Sequence, residues 1–210
     1  MPDGPGAFFA EEDAMRKTLL VSLLGVLAAT AAVRSQDSKG AAAPAPPATI
    51  AAVVDNQVGA IEKLVVDAAE AMPEDRYGFS PESLNIPGGV YKGVRTFALQ
   101  VRHIAASNYA LWAPVTGDKV PDNYRGGNGP EDLKTKEQIL KFLKDSYALG
   151  HRAAASLTAE NMLQLPEGSK SSRLHRTTFA VAHGYDHYGQ MIEYLRMNGI
   201  VPPASRGKAD

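Results

Sequence analysis

The segment His183-Gly-Tyr-Asp-His187 carries two imidazoles four residues apart. On a helix that spacing puts both rings on one face, one turn apart, where two nitrogens can hold one metal ion. A third histidine, His103, lies in an earlier segment that also has helical patterning. Two ligands from one helix and one from a neighbour leave coordination positions open for water or substrate, which separates a reactive metal site from a closed structural one. Such ligands suit a divalent ion and do not by themselves choose among zinc, nickel, iron, copper and manganese. The three nitrogens should converge on a point about 2.0–2.2 Å from each and stand about 3–4 Å apart.

The other polar residues offer less. His175 lies two turns before His183, about 12 Å along the helix axis. His151, in Gly150-His151-Arg152, reads as a surface or loop-adjacent residue. Asp186 and Glu193 fall on the polar strip of their helix, which marks a solvated face. Glu70 could approach a site, but nothing specific places it there. No Glu-x-x-His pair of the ferritin-like kind occurs, nor any nucleophile-elbow, Walker or dinucleotide motif.

Four amphipathic patterns must position the histidines. The first runs through Val54, Val58, Ile61, Val65, Ala68 and Met72 and stops at Pro73. The second takes Val94, Phe97, Val101, Ile104, Asn108 and Leu111, with Pro114 beyond its end. The third opens at Thr135 with Gln138 three residues on, a capping-box spacing, and continues through Ile139, Leu143, Tyr147 and Ala154 to Leu157. The fourth marks Leu174, Thr178, Val181, Tyr185, Tyr188, Ile192 and Leu195, and Gly199 with Pro202-Pro203 ends it. Strand-like alternation is absent, so the expected class is all-α, a four-helix bundle with long loops. Tyr77–Gly93 and Trp112–Lys134, both rich in Gly and Pro, are too long for simple antiparallel neighbours and should cross the bundle or cover one end.

Ahead of the bundle, Arg16-Lys17 precede an apolar run from Leu19 to Ala32, and Ala29-Thr30-Ala31 fits a small-residue cleavage site. Residues 1–35 therefore read as a leader with a signal peptide, its start at Met15. Residues 36–49 form a flexible Ala/Pro linker, residues 50–204 the bundle, and residues 205–210 a tail. The run is too short for a confident membrane span, so cleavage should leave no stable span and release a periplasmic or secreted protein. The chain of 210 residues has a formal net charge of −1, which offers nothing to nucleic acid, and no cysteine, which removes thiolate ligands, disulfides and a thiol nucleophile.

The segment from His183 through Gln190 to Pro203, the stretch His103-Ile-Ala-Ala-Ser-Asn-Tyr, and Met72-Pro-Glu-Asp-Arg-Tyr-Gly-Phe-Ser-Pro resemble, in that order, parts of the DinB-like superfamily of metal-binding four-helix bundles. The resemblance covers roughly residues 50–204. It implies that His103, His183 and His187 are the metal ligands and that the partner is a small-molecule substrate. It also implies homodimers, seen in several members, and thiol transfer, seen in some. Many members carry Arg where this chain has Tyr188. Two functions compete: a metal-dependent hydrolase or transferase, and a non-catalytic extracytoplasmic bundle that binds metal or ligand. An acid or base beside the metal would favour the first and an entirely apolar pocket the second. Tyr109 and Tyr185 are site neighbours by position in the sequence only.

Overall fold

The computed structural model describes residues 48–207. The leader, its cleavage site and nearly all of the linker lie outside the described residues, as does the end of the tail.

Four α-helices and no strand occur among the described residues: α1 (Ile50–Ala71), α2 (Phe97–Thr116), α3 (Lys136–Ala155) and α4 (Arg173–Met197). Each begins on a hydroxyl N-cap. Thr49, Thr96, Thr135 and Ser172 accept hydrogen bonds from the backbone N–H groups of Ala52, Leu99, Gln138 and His175. Each cap satisfies a donor the helix leaves unpaired and contributes about 1 kcal/mol. The Thr135–Gln138 capping box forms as its spacing predicts. No helix among these residues is long and apolar enough to cross a membrane.

In the bundle α1 packs on α3 and α4, and α2 packs on the same two helices. Consecutive helices α1 and α2 therefore face each other across a diagonal, as do α3 and α4. Crossing a diagonal requires a long connection, which accounts for the chain between Ala71 and Phe97 and, unexpectedly from the sequence, for that between Ala155 and Arg173. The α2–α3 connection joins neighbours instead. It folds back along α2, where Arg102 donates to the carbonyls of Gly129 and Pro130 and the Gly126 N–H donates to Ala106.

The α1 stripe from Val54 to Met72 is wholly buried, as its pattern requires. Two other helices depart from theirs. In α2, Val94 lies outside the helix, before the Thr96 cap, and Pro114 lies inside it. A proline there removes the hydrogen bond to the carbonyl four residues back. Arg176 of α4 supplies the replacement, its Nη2 donating to the Ala110 carbonyl and its Nε to Leu111 at 3.0 Å. In α4 the buried face comprises Thr177, Ala180, Val181, Gly184, His187, Met191, Tyr194 and Leu195, while Tyr185 is exposed and Ile192 only half-buried. The helix is turned so that its small and polar residues face inward. Gly184 permits this, since a Cβ there would lie 2.8 Å from Ile61 Cγ1 of α1.

Candidate metal centre

His103 projects from α2 and His183 and His187 from α4, two neighbouring helices. Their ring centroids lie 5.1 Å (His103–His183), 4.7 Å (His103–His187) and 4.4 Å (His183–His187) apart. One ligand atom from each falls within 4.8 Å of the other two. The Nε2 atoms of His183 and His187 are 3.1 Å apart, inside the expected 3–4 Å. His187 is buried, and the other two are half-buried.

Each ring has a different support. His103 Nδ1 donates to the Gly127 carbonyl at 2.5 Å. A carbonyl can only accept, so the proton sits on Nδ1 and Nε2 keeps its lone pair for a metal. His187 Nδ1 is bonded at 2.9 Å to Oε1 of Gln100, a side chain only 2 % exposed. This too leaves Nε2 with its lone pair. His183 Nδ1 is buried with no hydrogen-bond partner among the described residues.

The electrostatics keep the rings neutral. Burial lowers the pKa of His103, and Arg95 adds to the effect, against the pull of the Gly127 carbonyl. Burial lowers that of His183, with His103 and Arg95 in the same direction and Asp186 opposing. His187 is lowered to about 4, by burial first and then by His183 and His103. Neutral imidazole is the form that coordinates. Three neutral rings with converging nitrogens fit a divalent ion, because none of them brings a positive charge of its own to oppose it.

A family model of the DinB superfamily matches residues 57–191. The chain belongs to the DinB superfamily. No curated protein matches it. The superfamily is a metal-binding one, and the three converging histidines of this DinB bundle could hold a metal ion.

Other residues singled out in the sequence fall elsewhere. His175 is exposed and stacks on Phe179 at 5.5 Å. His151 lies within α3 rather than beside a loop, bonded to Asp55 and Glu62 of α1. Glu70 pairs with Lys144 at 2.6 Å, away from the histidines. Tyr109 stacks on Phe142 at 5.2 Å and meets Tyr124 at a tilt, 5.3 Å away, on the side of α2 that faces α3. Tyr185 is exposed.

Asp186 is exposed, as its position on the polar strip predicts, and its Oδ2 also lies 4.0 Å from His187 Nε2. A helix residue next to a ligand can bend its side chain over the ring's edge. Gln100 and the Gly127 carbonyl were not singled out at all. Gln100 had a signal, being polar, one turn before His103 and among the apolar positions Phe97, Val101 and Ile104. A backbone carbonyl has none.

Proposed function

We propose that this DinB protein is an exported, divalent-metal-dependent hydrolase or transferase acting on a small molecule. His103, His183 and His187 are its metal ligands, and zinc or nickel is the preferred ion. The observation that carries the reading is the convergence of three neutral imidazoles from two helices beside one carboxylate. When bound, the ion supplies Lewis acidity at that point. The chain's residues do the rest. The three rings fix its place, burial keeps them unprotonated, and Asp186 Oδ2 accepts a proton released from a group held there.

Asp186 also separates this reading from the non-catalytic one. A bundle that only captures ligand needs no acid–base group at the ion, and here one lies beside the ligand nitrogen. Export rests on the basic pair, apolar run and cleavage site before residue 36, with the linker as a spacer to the bundle at 50–204. Release beyond the cytosol separates the protein from cytosolic thiols and argues for hydrolysis over thiol transfer. Pairing into a homodimer is part of the same reading.

Metal analysis of the purified protein, followed by a substrate screen of the loaded form, tests the activity. Stoichiometric metal and turnover lost in Asp186→Asn are the expected results. Full turnover in that variant would remove Asp186 from the mechanism. N-terminal sequencing of the exported fraction should find a start near Ala32 to Gln36, and an abundant form beginning at Met1 or Met15 would refute export.

A further inference from the structure

His187 is the most enclosed ligand, and its far nitrogen leads into a chain of polar groups. Its Nδ1 is 2.9 Å from Gln100 Oε1. Gln100 Nε2 donates to Gln190 Oε1 at 2.6 Å. Gln190 Nε2 donates to Asp186 Oδ2 at 3.3 Å. Asp186 returns to the other side of the ring, 4.0 Å from His187 Nε2. The path leaves the imidazole at one nitrogen and comes back at the other.

Each link has one direction. A carboxylate only accepts, so Asp186 turns the Gln190 amide with its NH2 towards the acid and its oxygen towards Gln100. That oxygen in turn requires the NH2 of Gln100, which leaves Gln100 Oε1 against His187. An acceptor there demands a proton on Nδ1, and Nε2 is left bare towards His183 and His103. We propose that Gln100 and Gln190 are positioning residues that carry the orientation imposed by Asp186 to His187 and fix it in the Nδ1–H tautomer required for metal binding through Nε2. The role of Asp186 as acid–base group and the tautomer of the ligand are then set by one network. The proposal rests on the metal-site reading above and deepens it.

Gln100 lies 2 % exposed and Gln190 is half-buried, so the relay can be cut at a costly and at a cheap position. The test is 15N-edited NMR of the imidazoles in the metal-free protein at neutral pH, with zinc affinity measured by competition against a chromophoric chelator. In the parent, His187 should be the Nδ1–H form. Gln100→Leu should move it to a mixture with Nε2–H and weaken zinc by about 10–100-fold, the usual effect of losing a ligand's outer hydrogen bond. Gln190→Leu should shift the tautomer in the same direction by less, without the packing risk of the buried site. Gln100→Glu, which restores an acceptor at Nδ1, should return both tautomer and affinity. The tautomer of His103, held by the Gly127 carbonyl, should not respond, whereas His183, 3.1 Å from His187 Nε2, should change with it. An unchanged His187 tautomer in both leucine variants overturns the relay, whether or not zinc binds. A parent that takes up no zinc overturns the metal reading instead, because the tautomer is read without metal.

Discussion

Two regions of this bundle hold a histidine against a neighbouring helix, and they treat it in opposite ways. At the α2–α4 contact, His187 is surrounded by two other rings and an amide, and its pKa falls to about 4. At the α1–α3 contact, His151 bridges Asp55 at 2.6 Å and Glu62 at 2.9 Å. Burial would lower its pKa, but the hydrogen bonds and charges of Glu62 and Asp55 together outweigh burial and raise it. The first environment prepares a ligand and the second an ion pair. Residue type alone does not distinguish them; what differs is that carboxylates bond the His151 ring directly, whereas the one carboxylate near His187, Asp186, is exposed and stands 4.0 Å off.

The largest test of that contrast is metal uptake. His187→Ala should lose most bound metal by elemental analysis, whereas His151→Ala and His175→Ala should retain it. Equal retention in His187→Ala would erase the contrast. Acid extends the test, because protons compete for the ligand nitrogens. With the pKa of the metal-free His187 ring lowered from 6.5 to about 4, loaded protein should keep its metal at about pH 6, and proton competition at this ligand should weaken binding once pH falls below about 4.

Next in size is a pair of helix glycines, Gly59 beside His151 and Gly184 where α4 meets α1. A Cβ at Gly184 would lie 2.8 Å from Ile61 Cγ1, whereas one at Gly59 would rest 3.7 Å from the His151 ring, an ordinary contact. Gly184→Ala should therefore destabilise by about 1–3 kcal/mol through overpacking. Gly59→Ala should stabilise by about 0.5–1 kcal/mol through helix propensity. Denaturant titration of the two variants checks both signs, and a stabilised Gly184→Ala would mean that α4 has room to move.

The smallest effect belongs to the ion pair itself. The His151 side chain is 37 % exposed, so its pairing should be worth about 0.2–1 kcal/mol. Its folded pKa lies above the unfolded value, so this contribution is fully present below about pH 6.5 and is lost as pH rises through the folded pKa. His151→Gln should therefore cost more stability at about pH 6 than at about pH 9, by thermal melts at both. Equal losses would show that only neutral hydrogen bonds act there.

The helices and the His183–His187 pair were legible in the sequence because both depend on spacing within one helix, whereas His103, on another helix, joined them only through bundle geometry and the family resemblance. The α1 stripe could be read position by position. The α4 stripe was misplaced because large apolar residues were weighted over Thr177, Gly184 and His187, which face inward for reasons of size and polarity. Pro114 read as a terminator because its remedy, Arg176, lies on another helix. The partners of His151 lie on α1, and Gln190 reaches Gln100 across the α2–α4 contact, so neither arrangement has a local signature. What escaped the sequence is in each case a contact between elements.

The support of His103 has a genetic consequence. A carbonyl belongs to whatever residue occupies the position, so no side-chain substitution removes it directly. Gly127 has a φ of 57°, which an asparagine also tolerates. A point scan at Gly127 would therefore report tolerance of asparagine, and backbone strain for most other side chains, but no loss tied to the ring that the carbonyl supports. A scan of single-residue deletions would report the reverse, because shortening the path between Thr116 and Lys136 carries the carbonyl away from the ring. For this part of the protein, the length of the loop matters more than its letters.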